Sequence, residues 1–285
     1  IVKVPARLCT YAPRAVMMLF YRWNQRRGAR GQLDRLPSLL RELIDLKPDV
    51  LFVATTPANI AAKAVTTKVP IVFVGVADPL GVGLVPSLAR PGGNITGITN
   101  MAAELTGKRL EVLKEVIPDV TRVAVLINRR DPNATAQLRN AEAAARNLGI
   151  RLDPEISISG LADIETAFAT AAHSGAHAAL RMVDPTVSPL RQLTTSLAAK
   201  YRLPVIYAFR EDVEAGGLIA YGSDLAAQYR QSARVVDEIF RGRNPADMPV
   251  QQPTKFVLVV NLRAAKALGI TIPRTILLRA DDVIE

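Results

Sequence analysis

Val69-Pro70-Ile71-Val72-Phe73-Val74-Gly75-Val76-Ala77-Asp78-Pro79 is an apolar run that breaks off at an Asp-Pro pair. A run without polar alternation suits a strand buried on both faces, as in parallel sheets covered by helices. Proline pushes the residue before it out of the helical region, and the Asp carboxylate can close a turn or face a ligand. Asp78-Pro79 therefore reads as the polar tip of a buried strand. The same event recurs in VAVLINRRDP, ending at Asp131-Pro132, and in AHAALRMVDP, ending at Asp184-Pro185. The three pairs are spaced 53 residues apart. The segments between them differ in pattern, so the spacing is read as coincidence and not as a repeat. In open α/β sheets such carboxyl-end tips are where ligands bind.

Outward from this strand the chain alternates helical and strand-like segments, as βαβ units do. The pattern predicts a helix over 35–46, a strand over 50–54, and a helix from Thr55-Thr56-Pro57 to Val65 with threonine as its N-cap. A strand over 70–76, a loop to 84, a short strand over 95–99 and a helix over 103–116 complete a first block. A second block of similar size follows: strands over 122–128, 151–158, 178–183, 204–209 and 218–222, helices over 134–148, 164–173 and 190–201, and a turn-rich 210–217. The final part adds a helix over 225–241, an extended 248–254, a strand over 256–260, a helix over 262–268 and a strand-like tail. Because both blocks are complete before it, this last part is expected to return to the first block and brace both.

At 285 residues the chain suggests two domains of ordinary size. Of the net charge of +10, +7 sits in residues 1–35, leaving a nearly balanced body. That distribution argues against a phosphate-binding face and a nucleic-acid partner. Cys9 is the single cysteine, so no internal disulfide forms and no cysteine-based zinc spacing exists. The apolar stretch at Val16–Phe20 is too short for a membrane span.

The usual enzyme constellations are missing: no GxxxxGK[ST], GxSxG or HExxH occurs. Gly81-Val82-Gly83 lacks the third glycine of a dinucleotide loop. His173 and His177 are read as exposed residues at a helix end, and Arg129-Arg130 as a solvated loop edge.

Further blocks carry a resemblance. Leu33-Asp34-Arg35-Leu36-Pro37, Ala61-Ala62-Lys63-Ala64, the Val69–Val74 run, Gly83-Leu84-Val85 and Arg90-Pro91-Gly92-Gly93-Asn94-Ile95-Thr96-Gly97 stand in order. Lys108-Arg109-Leu110-Glu111, Asp131-Pro132-Asn133, Tyr221-Gly222, Val250–Phe256 and Asn261–Gly269 continue them. Together, over about 33–285, they resemble the ABC transporter substrate-binding protein family that includes tryptophan- and tyrosine-binding lipoproteins. The resemblance implies a type I periplasmic binding protein: two Rossmann-like α/β lobes with parallel sheets, joined by a multi-segment hinge. The lobes are expected at 1–102 plus about 225–253, and at 103–224 plus about 254–285. A small solute, an amino acid or similar, would be held between them by hinge closure and presented to an ABC permease. No catalysis, cofactor or metal is implied. The chain is expected to be a monomer or weak dimer, periplasmic or otherwise extracytoplasmic, with lipid anchoring open.

The opening departs from the family. The 20 residues before Tyr21-Arg22-Trp23 do not read as β-α-β, and Arg26–Gly31 is unusually basic. The first lobe is therefore expected to lack its opening β-α unit, with the leader a truncated or frame-shifted stretch and a sheet edge exposed.

Strand tips nominate the ligand contacts. On the first lobe these are Thr55 and Thr56, whose hydroxyls equally suit ordinary N-capping, and Asp78, which equally suits a turn with Pro79. On the second they are Asn128, Asp131, Asp184, Arg210 and Glu211, with Tyr221 and Asp224 at a crossover. An amino acid needs an anion site, a cation site and an apolar wall, and this set can supply each. The alternative from another class is a two-lobed α/β enzyme such as a glycosyltransferase or epimerase. A sugar-type repressor core would need a helix-turn-helix leader, which residues 1–30 do not show.

Overall fold

A computed structural model describes residues 2–3, 16–19 and 34–285. Tyr21-Arg22-Trp23, Arg26–Gly31, Leu33 and Cys9 lie outside the described residues. The chain divides into two compact units, 1–101 with 225–254 and 102–224 with 255–285, so it passes between them three times.

The first unit is built on a five-stranded sheet in the order β1 (Val2–Lys3), β2 (Val16–Leu19), β3 (Val50–Ala54), β4 (Ile71–Val76), β5 (Ile95–Thr99). Strands β2 to β5 are parallel, and β1 pairs antiparallel with β2 at the edge. Here the expectation for the opening needs correction. Val16–Leu19 is a strand, in register with Val50–Val53. Its four residues carry no alternation and no turn signal, which is why the sequence pattern passes over it.

The apolar runs of β3 and β4 follow from their two covered faces. Leu51, Val53, Ile71 and Phe73 pack with Leu36, Leu40 and Leu43 of α1 (Leu36–Asp45) and Ala58 and Ala62 of α2 (Thr56–Val65). The alternate residues Val50, Phe52, Val72 and Val74 pack with Val235, Val236, Ile239 and Phe240 of α8 (Leu225–Phe240). Both stripes are removed from water, at about 25 cal/mol per Å² of apolar area. The late segment does return to the first unit: Met248 packs in the α8 cluster, and Thr96 Oγ1 donates to the Met248 carbonyl at 2.8 Å.

The second unit carries a seven-stranded sheet in the order β12, β11, β10, β9, β8, β6, β7. These are β6 (Arg122–Ile127), β7 (Arg151–Ser157), β8 (Ala178–Arg181), β9 (Val205–Tyr207), β10 (Ile219–Ser223), β11 (Phe256–Asn261) and β12 (Asp282–Ile284). Its helices are α3 (Leu105–Val116), α4 (Ala134–Leu148), α5 (Leu161–His173), α6 (Arg191–Lys200), α7 (Arg210–Glu214), α9 (Leu262–Leu268) and α10 (Arg274–Leu277). Residues 210–217, expected as turn, thus begin with the short helix α7.

One pairing is not parallel: β10 and β11 run antiparallel, with Ser223 opposite Phe256. The chain leaves the unit after Asp224 and returns at Lys255, and the Asp224 N–H donates to the Lys255 carbonyl at 3.3 Å. A strand that ends at this doorway and one that starts there must run in opposite directions. Gly222 is required where β10 passes β9, since a Cβ there would lie 2.0 Å from the Ala208 carbonyl oxygen. No helix among the described residues is long and apolar enough to cross a membrane.

Candidate ligand-binding site

In the second unit the parallel strands β6 and β8 are neighbours, so their carboxyl ends lie side by side. Past β6, Asn128 is buried and its Oδ1 accepts the Arg130 N–H at 3.0 Å, turning the chain. Asp131 follows, 6% exposed. Its Oδ1 accepts the Asn133 N–H at 2.7 Å and Asn133 Nδ2 at 2.9 Å, while its carbonyl accepts the Ala134 N–H at the start of α4. The second oxygen, Asp131 Oδ2, is buried and has no hydrogen-bond partner.

Past β8, Asp184 is 3% exposed. Its Oδ1 accepts the Thr186 N–H at 2.8 Å and its Oδ2 accepts the Thr186 hydroxyl, which itself accepts Asn128 Nδ2 at 3.3 Å. The two Asp-Pro tips are therefore tied together through Asn128 and Thr186.

Burial and the neighbouring Asp184 carboxylate push the Asp131 carboxyl up to about 7, against the pull of the Asn133 bonds. Burial likewise raises Asp184, opposed by Thr186, Asn128 and the Arg181 guanidinium. A pair of buried carboxylates with a free lone pair is chemically suited to a cation, since a positive charge there would offset the desolvation that both groups carry.

Beneath these tips lies an ion cluster that the sequence reading missed. Arg181 Nη2 is 2.7 Å from Asp212 Oδ1, with Arg191 Nε at 3.6 Å, and Arg181 and Asp212 are both buried. Arg181 stands 5.2 Å from the Tyr207 ring centroid. Arg109, fully buried on α3, donates through Nη2 to the Ala102 carbonyl at 2.6 Å. Its guanidinium is lowered to about 9 by burial and then by Arg181, with Asp212 working the other way. The Asp212 carboxylate thus joins α7 to the end of β8 and to the first residue of α6.

Other nominated residues are placed differently. Arg210 pairs with Glu214 at 3.0 Å and with Asp282 of β12, so its charge is used inside the unit. Tyr221 lies in the middle of β10, opposite Leu258, and packs on the core instead of standing at a tip. Asp224 is at the doorway between units, 3.8 Å from Lys255. Glu211 is half-buried, with its carboxyl raised chiefly by burial. His173 and His177 are exposed, and His177 Nδ1 accepts the Thr121 N–H at 3.2 Å. Arg129 pairs with Glu155 at 2.5 Å, at the exposed edge expected for it.

In the first unit, Thr55 and Thr56 join β3 to α2. Thr55 holds the N-cap position, but its side chain makes no cap hydrogen bond and its backbone is at φ 75°, ψ 149°. This region is sparsely populated by anything but glycine. Asn59 holds it there: Asn59 Nδ2 donates to the Val53 carbonyl at 3.0 Å and the Thr55 carbonyl at 2.8 Å. The expected hydroxyl cap does not form, and the turn is held instead by this clamp on its carbonyls from within the helix. Asp78 is half-buried and its Oδ1 accepts the Gly81 N–H at 2.8 Å, closing the turn after Pro79. Among the described residues no cluster of three or more His, Cys, Asp or Glu could hold a metal ion.

Two α/β units with parallel-dominated sheets, linked by three chain passages, define the class of two-lobed periplasmic binding proteins. The chain belongs to the ABC transporter substrate binding protein family, whose profile matches residues 22–284. A conserved domain protein of Vibrio cholerae is 31% identical with a TM-score of 0.84, over 90% of this chain and 85% of that one. A Streptococcus pneumoniae ABC domain, solved in complex with L-Trp, is 25% identical with a TM-score of 0.82, over 89% and 87%. A tyrosine-binding protein of Clostridioides difficile (strain R20291) is 24% identical over 242 residues, which is 85% of this chain and 69% of that protein. The chain is accordingly the substrate-binding protein of an ABC transporter, of a family that is extracytoplasmic and hands small solutes to membrane permeases.

Proposed function

We propose that the solute is an amino acid whose α-ammonium group is held by the Asp131–Asp184 pair. The carrying observation is the buried, unpartnered Asp131 Oδ2 beside a second buried carboxylate. An ammonium group brings three donors and a positive charge, matching one free acceptor and an excess of negative charge. The complex of the Streptococcus pneumoniae relative with L-Trp and the tyrosine-binding relative support the same class of solute. Thr55, Thr56, Asp78 and Glu211 remain secondary candidates for contact.

In this reading the protein binds and releases its solute unchanged and catalyses nothing, acts as a monomer or weak dimer, and has no nucleic-acid partner. It works outside the cytoplasm. Isothermal titration calorimetry against the twenty amino acids tests the proposal, with N-acetyl-L-tryptophan and 3-phenylpropionate as probes lacking a free ammonium. Binding of an amino acid but not of these two supports it. Equal binding of an N-acetylated form would sink it.

A further inference from the structure

The β6–β8 ladder runs as far as Leu126 opposite Arg181, with the Met182 N–H donating to the Leu126 carbonyl at 3.0 Å. Val183, next along and directly before Asp184, is gripped from another element. Gln137 Nε2 donates to the Val183 carbonyl at 2.9 Å, and the Val183 N–H donates to Gln137 Oε1 at 2.8 Å. A side-chain amide here does the work of a neighbouring strand, pairing both backbone groups of one residue.

Gln137 is 1% exposed and lies on the buried stripe of α4 with Ala134, Leu138, Ala141 and Ala145. A fully buried amide on an apolar stripe is tolerated only when its polar atoms are matched, and here both are. The same helix begins at the Asp131 turn, where the Ala134 N–H donates to the Asp131 carbonyl at 3.0 Å. The first turn of α4 thus starts from the backbone of one Asp of the pair and grips the strand end that carries the other.

We infer that Gln137 is a positioning residue for the solute: its clamp on Val183 fixes the Asp184 carboxylate beside Asp131. The inference rests on the ammonium site proposed above. The charged groups that face the pair are the two carboxylates themselves and Arg181, which favours ionised Asp184; Asn128, Asn133 and Thr186 are neutral.

The test is Gln137→Met, which keeps the length and removes both hydrogen bonds, with Gln137→Glu as a second variant that keeps an acceptor for the Val183 N–H. Two readouts are taken. Carboxyl-carbon NMR of the solute-free protein follows the Asp131 midpoint, about 7 in the parent chain. Loosening Asp184 lessens its repulsion, so Q137M is expected to titrate at lower pH. Calorimetry with L-tryptophan, L-tyrosine and L-leucine is expected to show affinity reduced by about tenfold or more in Q137M, and at least as far in Q137E, whose carboxylate meets the Val183 carbonyl without a donor. An unchanged Asp131 midpoint together with unchanged affinity in a folded Q137M overturns the inference. Should none of the three amino acids bind the parent protein, or should D184N bind as well as the parent, the ammonium reading fails by itself. The Asp131 titration still decides the clamp.

Discussion

If a cation binds against Asp131, solute affinity must depend on pH, because the protonated carboxyl offers no charge. The solute-free group titrates at about 7. An ammonium partner would return it to the ordinary carboxylate value of about 4 or below. With free and bound midpoints about three units apart, the association constant is near its ceiling at pH 8 and about half of it at pH 7. It is about tenfold lower at pH 6 and nearly a hundredfold lower at pH 5. Binding at pH 7 also releases about half a proton, since about half of the free protein carries one there. Titration calorimetry from pH 5 to 8.5, repeated in buffers of different ionisation enthalpy, measures both quantities. Asp131→Asn should weaken binding at pH 8 and flatten the profile. An association constant constant within twofold from pH 5 to 8, with no buffer-dependent heat, would refute the reasoning.

Five further outcomes follow from the geometry. Asp131 has a folded value above its unfolded one, so it stabilises the solute-free fold below about pH 4 and loses that contribution as pH rises through about 7. Asp131→Asn is therefore expected to raise the melting temperature of the solute-free protein at pH 7.5, while losing the stabilisation that the solute adds. Asp212→Ala leaves Arg181 buried without its ion partner and should cost about 3–5 kcal/mol in denaturant unfolding. Glu165→Gln, at the exposed Lys200 pair, should leave melting unchanged. Thr55→Gly releases a backbone held at φ 75° and should stabilise the first unit by about 1 kcal/mol, read from the same unfolding curves. Gly222→Ala drives a Cβ into the Ala208 carbonyl and should destabilise by more than about 2 kcal/mol, with scanning calorimetry as the check.

The strands that could be read from sequence are those whose two faces are both buried. Val50–Ala54 and Ile71–Val76 show as near-continuous apolar runs because every other residue meets a different helix layer, and Arg122–Ile127 is a similar run, buried from Val123 on. Val16–Leu19 escapes the same logic, being only four residues long with no turn signal beside it. At the site, Asp131 and Asp184 were legible because Asp-Pro marks a strand tip whatever lies around it. Their partners were not. Gln137 meets Val183 across 46 residues, and Asn128 meets Thr186 across 58. Arg181 finds Asp212 only once β8 and α7 are placed. Such pairings depend on which strands become neighbours, a tertiary fact that local patterns do not carry. A weak signal did exist for Gln137, a polar residue on the apolar stripe of α4. For Arg210 and Tyr221 residue type and approximate location suit a ligand, while the fold pairs one within its unit and packs the other on the core.

The electrostatics of the second unit divide its buried charges by role. Arg181 and Asp212 are paired, and Arg109 spends its guanidinium on the Ala102 carbonyl, so these charges hold elements in place. At Asp131 and Asp184, past the ends of β6 and β8, Asn133, Thr186 and Asn128 meet part of the carboxylates' needs and Asp131 Oδ2 is left over. A unit selected for stability alone would do better with an apolar residue or an amide at position 131, because a buried carboxylate is unfavourable unless fully matched. The carboxylate at 131 becomes fully matched when a partner arrives from outside, as the proposed solute would. The same desolvation that disfavours the empty site then strengthens attraction to an incoming ammonium. The rigidity supplied by the Arg181–Asp212 cluster and by the Gln137 clamp keeps the two carboxylates from moving apart to relieve their repulsion before the solute binds.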